Sequence, residues 1–477
     1  MSLVEFKLED RFARDEGDVA MSGVQALLRV LLDQLRADKR DGLNNAAMVS
    51  GYRGSPLGGV DQLMNSNKAE LDANNINFIP GLNEDLGATA VWGSQLANHN
   101  WEGTYDGVLG MWYGKAPGVD RSGDAIRHAN VSGVDPNGGV LLVAGDDPAS
   151  KSSTLTAESE FVLLHFETPI FYPGSVQEVA DYGRLGYQLS RYSGLWSAMK
   201  IVTNVADGYS TIKVGPGRVQ SSRPEWEWDG KPWAHTQEDR LFGPLAVAME
   251  REVYEGRLNA ANEFIAHNKL NKQTVDTADA KLGFVAAGKT YYDLRAAFDQ
   301  LGLDEAELRR RGIRIFKPAV VWPLEPTSVR EFADGLDTIV VVEEKRAFVE
   351  MFAREALYGQ TNAPKILGKR DDDGKLWFPG HGEMEVEQIV KLIRPFLVDR
   401  FGEDSVTPLE RERTLIPLAD AKELKGASRN AGFCSGCPHN TSTWVPEGSE
   451  AGGGIGCHGM AGSTPTRNTS GTTQMGG

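Results

Sequence analysis

Apolar positions follow two rhythms along this chain. Val24, Leu27, Leu28, Leu31 and Leu35 recur at helical spacing and predict a helix with one apolar face. Ser22, with Gln25 three residues on, forms a capping box at its start. The second rhythm is the short, continuous apolar run of a strand buried on both faces. Ala46–Val49 is the first of these. The glycine-rich stretch Gly51–Gly59 breaks it, and Val60–Met64 reads helical again. Val108–Trp112, Val140–Ala144, Ile170–Tyr172 and Lys200–Val205 continue the strand series. Ser175 and Glu178 cap a helix after Pro173-Gly174. Alternating strands and helices predict a parallel sheet covered on both faces.

The pattern changes after about residue 214. Gly215–Trp233 is rich in Pro, Gly, Ser and Trp, and Glu250–Leu270 reads as a polar helix, so 215–280 is taken as a connecting segment. A second alternating unit opens at Leu282. It has strand candidates at Ile313–Phe316, Ala319–Trp322 and Thr338–Val342, with helices near Tyr291–Leu301 and Pro326–Ala333. It closes near residue 400. Beyond it the glycine content rises: 10 of the 30 residues from Gly448 to Gly477 are glycine.

Composition narrows the classes. At ~150 residues per domain, 477 residues would fill about three domains. With 50 basic and 66 acidic residues the net charge is −16, which argues against a basic nucleic-acid footprint. No apolar run reaches the ~20 residues of a membrane helix, and Met1–Asp18 lacks the apolar core of a secretory signal. The three cysteines, Cys434, Cys437 and Cys457, cannot close a disulfide framework among themselves. Their clustering indicates a metal or cluster site in a reducing, cytoplasmic setting.

Four motifs carry candidate chemistry. Cys434-Ser435-Gly436-Cys437-Pro438-His439 with Gly456-Cys457-His458 offers two thiolates from one turn and a third from a second loop. With His439 or His458 as fourth ligand it is a zinc site. With a fourth cysteine from elsewhere it is an iron–sulfur site. The loop Gly51-Tyr52-Arg53-Gly54-Ser55-Pro56 follows a strand and opens a helix, so it either cradles an anion or is a plain turn. Arg53 and Ser55 suit a carboxylate. Asn83-Glu84-Asp85 sits at a helix start, where a carboxylate is favoured as a cap in any case. Gly145-Asp146-Asp147-Pro148 lies at a strand's carboxyl end, where α/β proteins bind ligands. Tyr52, Trp112 and Tyr113 would line an aromatic pocket or, more simply, fill the core.

Taken in order, Gly-Tyr-Arg-Gly-Ser-Pro at 51–56, Asn83-Glu84, Gly-Asp-Asp-Pro at 145–148 and the cysteine pattern at 434–457 resemble the thiamine-diphosphate-dependent 2-oxoacid:ferredoxin oxidoreductases. The long single-chain bacterial indolepyruvate ferredoxin oxidoreductases are the nearest group. The resemblance implies an α/β chain in four parts. A pyrimidine-binding domain of the doubly wound thiamine-diphosphate fold covers 1–214, and the connecting segment 215–280 follows. A transketolase C-terminal-like domain covers 281–400, and the truncated start of a diphosphate-binding domain covers 401–477. It implies that Glu84 bonds the cofactor's aminopyrimidine and favours the imino tautomer that deprotonates the thiazolium. Arg53 and Ser55 would meet the substrate. Gly54, Gly456, His458 and Met460 would border the cofactor. Cys434, Cys437 and Cys457 would be three of the four thiolates of a 4Fe–4S cluster. Thiamine diphosphate, Mg²⁺ and the cluster are the implied cofactors. CoA, a 2-oxoacid of indolepyruvate type, ferredoxin and a second copy of the chain are the implied partners, with no nucleic acid and no membrane.

The Gly-Asp-Gly motif that grips Mg²⁺ and diphosphate is not in the sequence, nor is a fourth cluster cysteine. The chain is therefore expected to be an N-terminal piece of a longer enzyme, inactive alone. A non-redox thiamine enzyme and a zinc-bearing interaction protein are the alternatives.

Overall fold

A computed structural model describes residues 7–151, 153, 155–403, 406 and 432–472. The chain divides into two compact units. One comprises Met1–Lys151 with Ala157–Thr407, and the other Ser152–Thr156 with Pro408–Gly477.

The large unit is built on two main sheets, beside two two-stranded ribbons, Gly17–Ser22 with Tyr209–Val214 and Glu227–Trp228 with Lys231–Pro232. The strands of the main sheets are β1 (Ala46–Gly51), β2 (Ile76–Phe78), β3 (Val108–Lys115), β4 (Val140–Asp146), β5 (Ile170–Phe171), β6 (Ser197–Val202), β7 (Lys272–Val275), β8 (Leu282–Val285), β9 (Ile313–Lys317), β10 (Val320–Trp322), β11 (Thr338–Val341) and β12 (Lys365–Leu367). The first sheet has the order β10-β5-β6-β4-β3-β1-β2, and the second β7-β9-β8-β11-β12. Pairing is parallel except at one edge of each sheet, where β10 runs antiparallel to β5 and β7 antiparallel to β9. β4 and β6 are buried at every position, as strands covered on both faces must be.

Helix α1 (Gly23–Arg40) begins at the expected capping box. Ser22 Oγ accepts from Gln25 N at 3.3 Å, and Gln25 Oε1 accepts from Ser22 N at 3.0 Å. The further helices that place the site are α2 (Val60–Ser66), α3 (Glu84–Gln95), α4 (Ala116–Arg121) and α5 (Val176–Ser193). Ser175 caps α5 as its sequence predicts. Arg191 of α5 forms a buried two-bond pair with Asp38 of α1, with Nη1–Oδ1 at 2.8 Å and Nη2–Oδ2 at 2.6 Å.

Three elements differ from the sequence reading. The run Lys200–Val205 is only partly strand: β6 ends at Val202 and Thr203–Ala206 turns helical. Apolar continuity marks burial, not hydrogen-bond pattern. The run Ala319–Trp322 yields a strand that leaves the second sheet and pairs at the edge of the first. Strand β7 joins the second sheet although it lies within the segment read as a connection. Among the described residues no helix is long and apolar enough to cross a membrane.

Candidate functional site

The site forms where β1, β3 and β4 end at their carboxyl edges. β1 leads into the loop 51–59. Gly51 lies beside Tyr113, where a Cβ would come within 2.1 Å of the Tyr113 carbonyl, so only glycine passes there. The loop then folds on itself, Leu57 N donating to Gly54 O at 2.7 Å. Arg53 is exposed, while Gly54 and Ser55 are half-buried. Trp112 and Tyr113 of β3 are fully buried core residues, and the Tyr113 hydroxyl donates to Asp61 Oδ1 of α2 at 2.6 Å. They fill the interior and do not line an open pocket.

Helix α3 approaches the end of β1 from the other side. Asn83 is its cap: Oδ1 accepts from Leu86 N at 2.9 Å. Glu84 is thereby freed to be the first helical residue, and its carboxyl turns inward. The residue is 1% exposed, and Oε2 is buried without a hydrogen-bond partner. Trp112 Nε1 donates to the Glu84 carbonyl at 3.0 Å and fixes the helix start. Burial pushes the Glu84 carboxyl pKa up. The adjoining backbone N–H and the more distant Arg121 and Lys115 only partly oppose this.

Glu84 fits because of the turn after β3. At Gly118 a Cβ would lie 2.7 Å from Glu84 Cγ and 3.0 Å from Oε1, so the carboxyl occupies the space a side chain would take. Three residues earlier in the same turn, Lys115 lays its stem on the loop, and a Cβ at Gly54 would stand 2.9 Å from Lys115 Cδ. Farther along, Arg121 Nε donates to Asp85 Oδ1 at 2.7 Å and ties α4 to α3. The segment 115–121 thus brings the Gly54–Ser55 loop and Glu84 to one place. Neither Lys115 nor Gly118 stood out in the sequence, because a lone lysine and a lone glycine carry no spacing signal.

Asp146 and Asp147 end β4 and are buried. Asp146 accepts from Ser159 N at 2.9 Å and lies 3.7 Å from the Lys200 ammonium, which also pairs with Glu160. Burial raises the Asp146 carboxyl pKa against the pull of Lys200. The acidic turn is an internal charge cluster more than an open ligand site.

The smaller unit holds the cysteines. Cys434 and Cys457 are exposed and Cys437 half-buried. Cys437 Sγ lies 3.3 Å from His439 Nδ1, and the His439 and His458 rings stack at 6.2 Å. His458 Nδ1 accepts from Gly454 N at 3.0 Å. Gly456 adopts φ +72°, and the Met460 carbonyl accepts from Thr464 Oγ1. Among the described residues, three metal-capable side chains gather within 4.8 Å at His99, Glu238 and Asp239; the cysteine sulfurs do not form such a set.

Residues 272–415 match the family model of the indolepyruvate oxidoreductase domain. Indolepyruvate oxidoreductase subunit IorA of Archaeoglobus fulgidus is 23% identical over 312 residues, 65% of this chain and 45% of that protein. The subunit of the same name from Methanothermobacter thermautotrophicus is 25% identical over 336 residues, 70% of this chain and 48% of that protein. This chain therefore spans about half the length of these relatives. Among solved structures, the 2-oxoglutarate:ferredoxin oxidoreductase of Magnetococcus marinus superposes with a TM-score of 0.58 at 15% identity, covering 79% of this chain and 65% of that one. That likeness establishes the thiamine-diphosphate-type α/β fold and no more. Over the part of its length that the family model and these relatives cover, the chain is similar to indolepyruvate oxidoreductases.

Proposed function

We propose that the chain carries the aminopyrimidine side of a thiamine-diphosphate site in a 2-oxoacid:ferredoxin oxidoreductase. Its substrate is an aryl 2-oxoacid of indolepyruvate type, CoA takes the acyl group, and ferredoxin takes the electrons. The observation that carries this reading is Glu84: a buried carboxyl with one oxygen unpartnered and a raised pKa. A ring nitrogen that donates, or that shares a proton, completes it. The residues present fit the cofactor at this end.

Thiamine diphosphate, when bound, supplies the electron sink that decarboxylation of a 2-oxoacid requires. The chain's own residues position and exchange a proton. Glu84 holds it at the carboxyl, and the raised pKa brings that carboxyl closer to neutral pH, where a proton is passed most readily. Gly118 leaves room for the carboxyl, and the Trp112 indole bond prevents the helix start from moving. Ser55 and Arg53 edge the space in which the 2-oxoacid lies.

Gly-Asp-Gly is absent from these 477 residues, so none of them is assigned the grip on Mg²⁺ and diphosphate. A second copy of the chain is proposed as a partner. Cys434, Cys437 and Cys457 are proposed as ligands of a 4Fe–4S cluster.

The test is arylpyruvate- and CoA-dependent ferredoxin reduction by the protein assembled with its full complement of chains, thiamine diphosphate and Mg²⁺. Glu84→Gln is expected to lower kcat/KM by at least ~10²-fold, the usual contribution of a positioned acid or base. Glu84→Asp should retain part of the rate. Wild-type turnover by Glu84→Gln would overturn the reading.

A further inference from the structure

Among the described residues, one group of metal-capable side chains belongs neither to the Glu84 site nor to the cysteine loops. It is His99, Glu238 and Asp239, whose ligand atoms all lie within 4.8 Å of one another. They come from two stretches far apart in the chain. His99 lies on the helical turn Ala97–Asn100 that follows α3, and Glu238 and Asp239 lie in the irregular stretch after the strand Lys231–Pro232. The second stretch is pinned in place by its neighbours. Glu238 N donates to the Ser132 carbonyl at 2.9 Å, and Ser132 Oγ donates to the Glu238 carbonyl at 2.7 Å. Gln237 Nε2 donates to the Gln95 carbonyl at the end of α3, at 2.7 Å. The fold itself therefore brings the three donors together.

Their spacing suits an ion better than a hydrogen bond. His99 Nε2 stands 3.9 Å from Asp239 Oδ1, beyond hydrogen-bond reach. Nitrogen and oxygen ligands sit ~2.1 Å from a metal such as zinc, so two that share an ion lie ~3–4 Å apart. The His99 and Asp239 side chains are each 28% exposed, which gives them room to close on an ion and leaves its outer face to water. The competitor for such an ion is Arg240. Its Nε donates to Glu238 Oε1 at 3.0 Å and its Nη2 to Oε2 at 3.2 Å, but the side chain is 74% exposed and can swing into water. One imidazole with two carboxylates is neither the all-oxygen cage of Ca²⁺ nor a thiolate set, and it matches a first-row divalent ion of intermediate softness. We propose that His99, Glu238 and Asp239 bind such an ion, with Mn²⁺ as its type, and that the ion braces the far end of α3 against the segment 234–240.

Mn²⁺ is the probe because carboxylate and imidazole suit it better than the thiolates of Cys434, Cys437 and Cys457 do. It is titrated into the metal-free 477-residue protein, and the free ion is followed by its electron paramagnetic resonance signal. Wild type should bind one Mn²⁺ whose affinity falls at least ~10-fold in His99→Ala and in Asp239→Asn, since losing even an outer-shell partner costs that much. Arg240→Gln, which removes the competing cation, should bind it more tightly. Spin-echo modulation from a histidine nitrogen should be present on the bound ion in wild type and absent in His99→Ala. Mn²⁺ should also slow amide exchange at residues 97–100 and 237–240 of wild type. A wild type that binds no Mn²⁺, or binds it without nitrogen modulation, overturns the inference whether or not the variants fold. Equal affinity in a folded His99→Ala also overturns it. Binding that leaves exchange at 97–100 and 237–240 unchanged overturns the brace.

Discussion

At the scale of single residues, Glu84 holds a position that costs stability, and pH makes the cost measurable. Its folded pKa is raised by burial, so the folded chain holds the carboxyl proton more tightly than the unfolded chain does. Its contribution is therefore most favourable below the ordinary glutamate value of ~4.3 and declines as pH rises from there through the raised value. Above that value an ionised, buried carboxylate is a constant penalty. Glu84→Gln has no such dependence. The variant should be at least as stable as wild type at pH 7, and the gap should close on lowering the pH to about 4. Urea denaturation at both pH values checks this; a Glu84→Gln protein that is less stable at pH 7 would show that the carboxylate is held by partners it does not have here. The sequence pointed to Glu84 through its motif but left open a plain capping role. The structure separates the two, since Asn83 does the capping. Lys115 and Gly118 were not legible, because their roles come from a turn that meets Glu84 and Gly54 only once the sheet has formed.

At the scale of elements, the caps and helix faces were readable because they depend on residues three or four apart. Ser22 with Gln25 and Ser175 with Glu178 sit at the observed helix starts. Long-range pairing was not readable in the same way. An apolar run such as Val320–Trp322 is equally suited to either sheet, and only tertiary packing selects the edge of the first. The α1–α5 contact shows the same division. The apolar stripe of α1 is plain in the sequence, yet its buried anchor, Asp38 with Arg191, joins residues 153 apart in the chain. Gln34 Nε2 and Asn45 Nδ2 also donate to Asp38, at 2.7 and 2.8 Å. Asp38→Ala would leave a buried guanidinium with one remaining bond, to the Gly138 carbonyl at 2.9 Å. Removing one member of a buried pair costs about 3–5 kcal/mol. That loss should appear as a lower urea midpoint with an unchanged slope. Asp38→Ala combined with Arg191→Met should recover part of it, because no charge is then stranded. A single variant within ~0.5 kcal/mol of wild type would show that water reaches the pair.

At the scale of the large unit, the two sheets share a core and exchange chain. After β9 the backbone leaves the second sheet, donates β10 to the first, and returns as β11. One buried cluster contains Leu141, Trp196 and Val321 from the first sheet's side together with Phe316 and Ile339 from the other. Polar links reinforce it: Lys345 Nζ donates to the Pro148 carbonyl at 2.6 Å, and Lys317 pairs with Glu178. Neither sheet can open without exposing apolar surface and stranding charges that belong to the other. The sheets should therefore unfold together even though each has the strand count of an independent domain. Hydrogen exchange followed by mass spectrometry at rising urea concentration tests this directly. Amides of β4 and β8 should exchange through a common opening, with one free energy and one urea dependence. A β8 that opens at markedly lower free energy than β4 would show two separable domains. The β10 crossover would then be an edge decoration, and the geometry of β3 and β4, on which Lys115 and Glu84 depend, would not feel the second sheet. Under the cooperative outcome, substitutions far from the site, in β11 or at Lys345, should lower stability and loosen the carboxyl ends of β3 and β4 together.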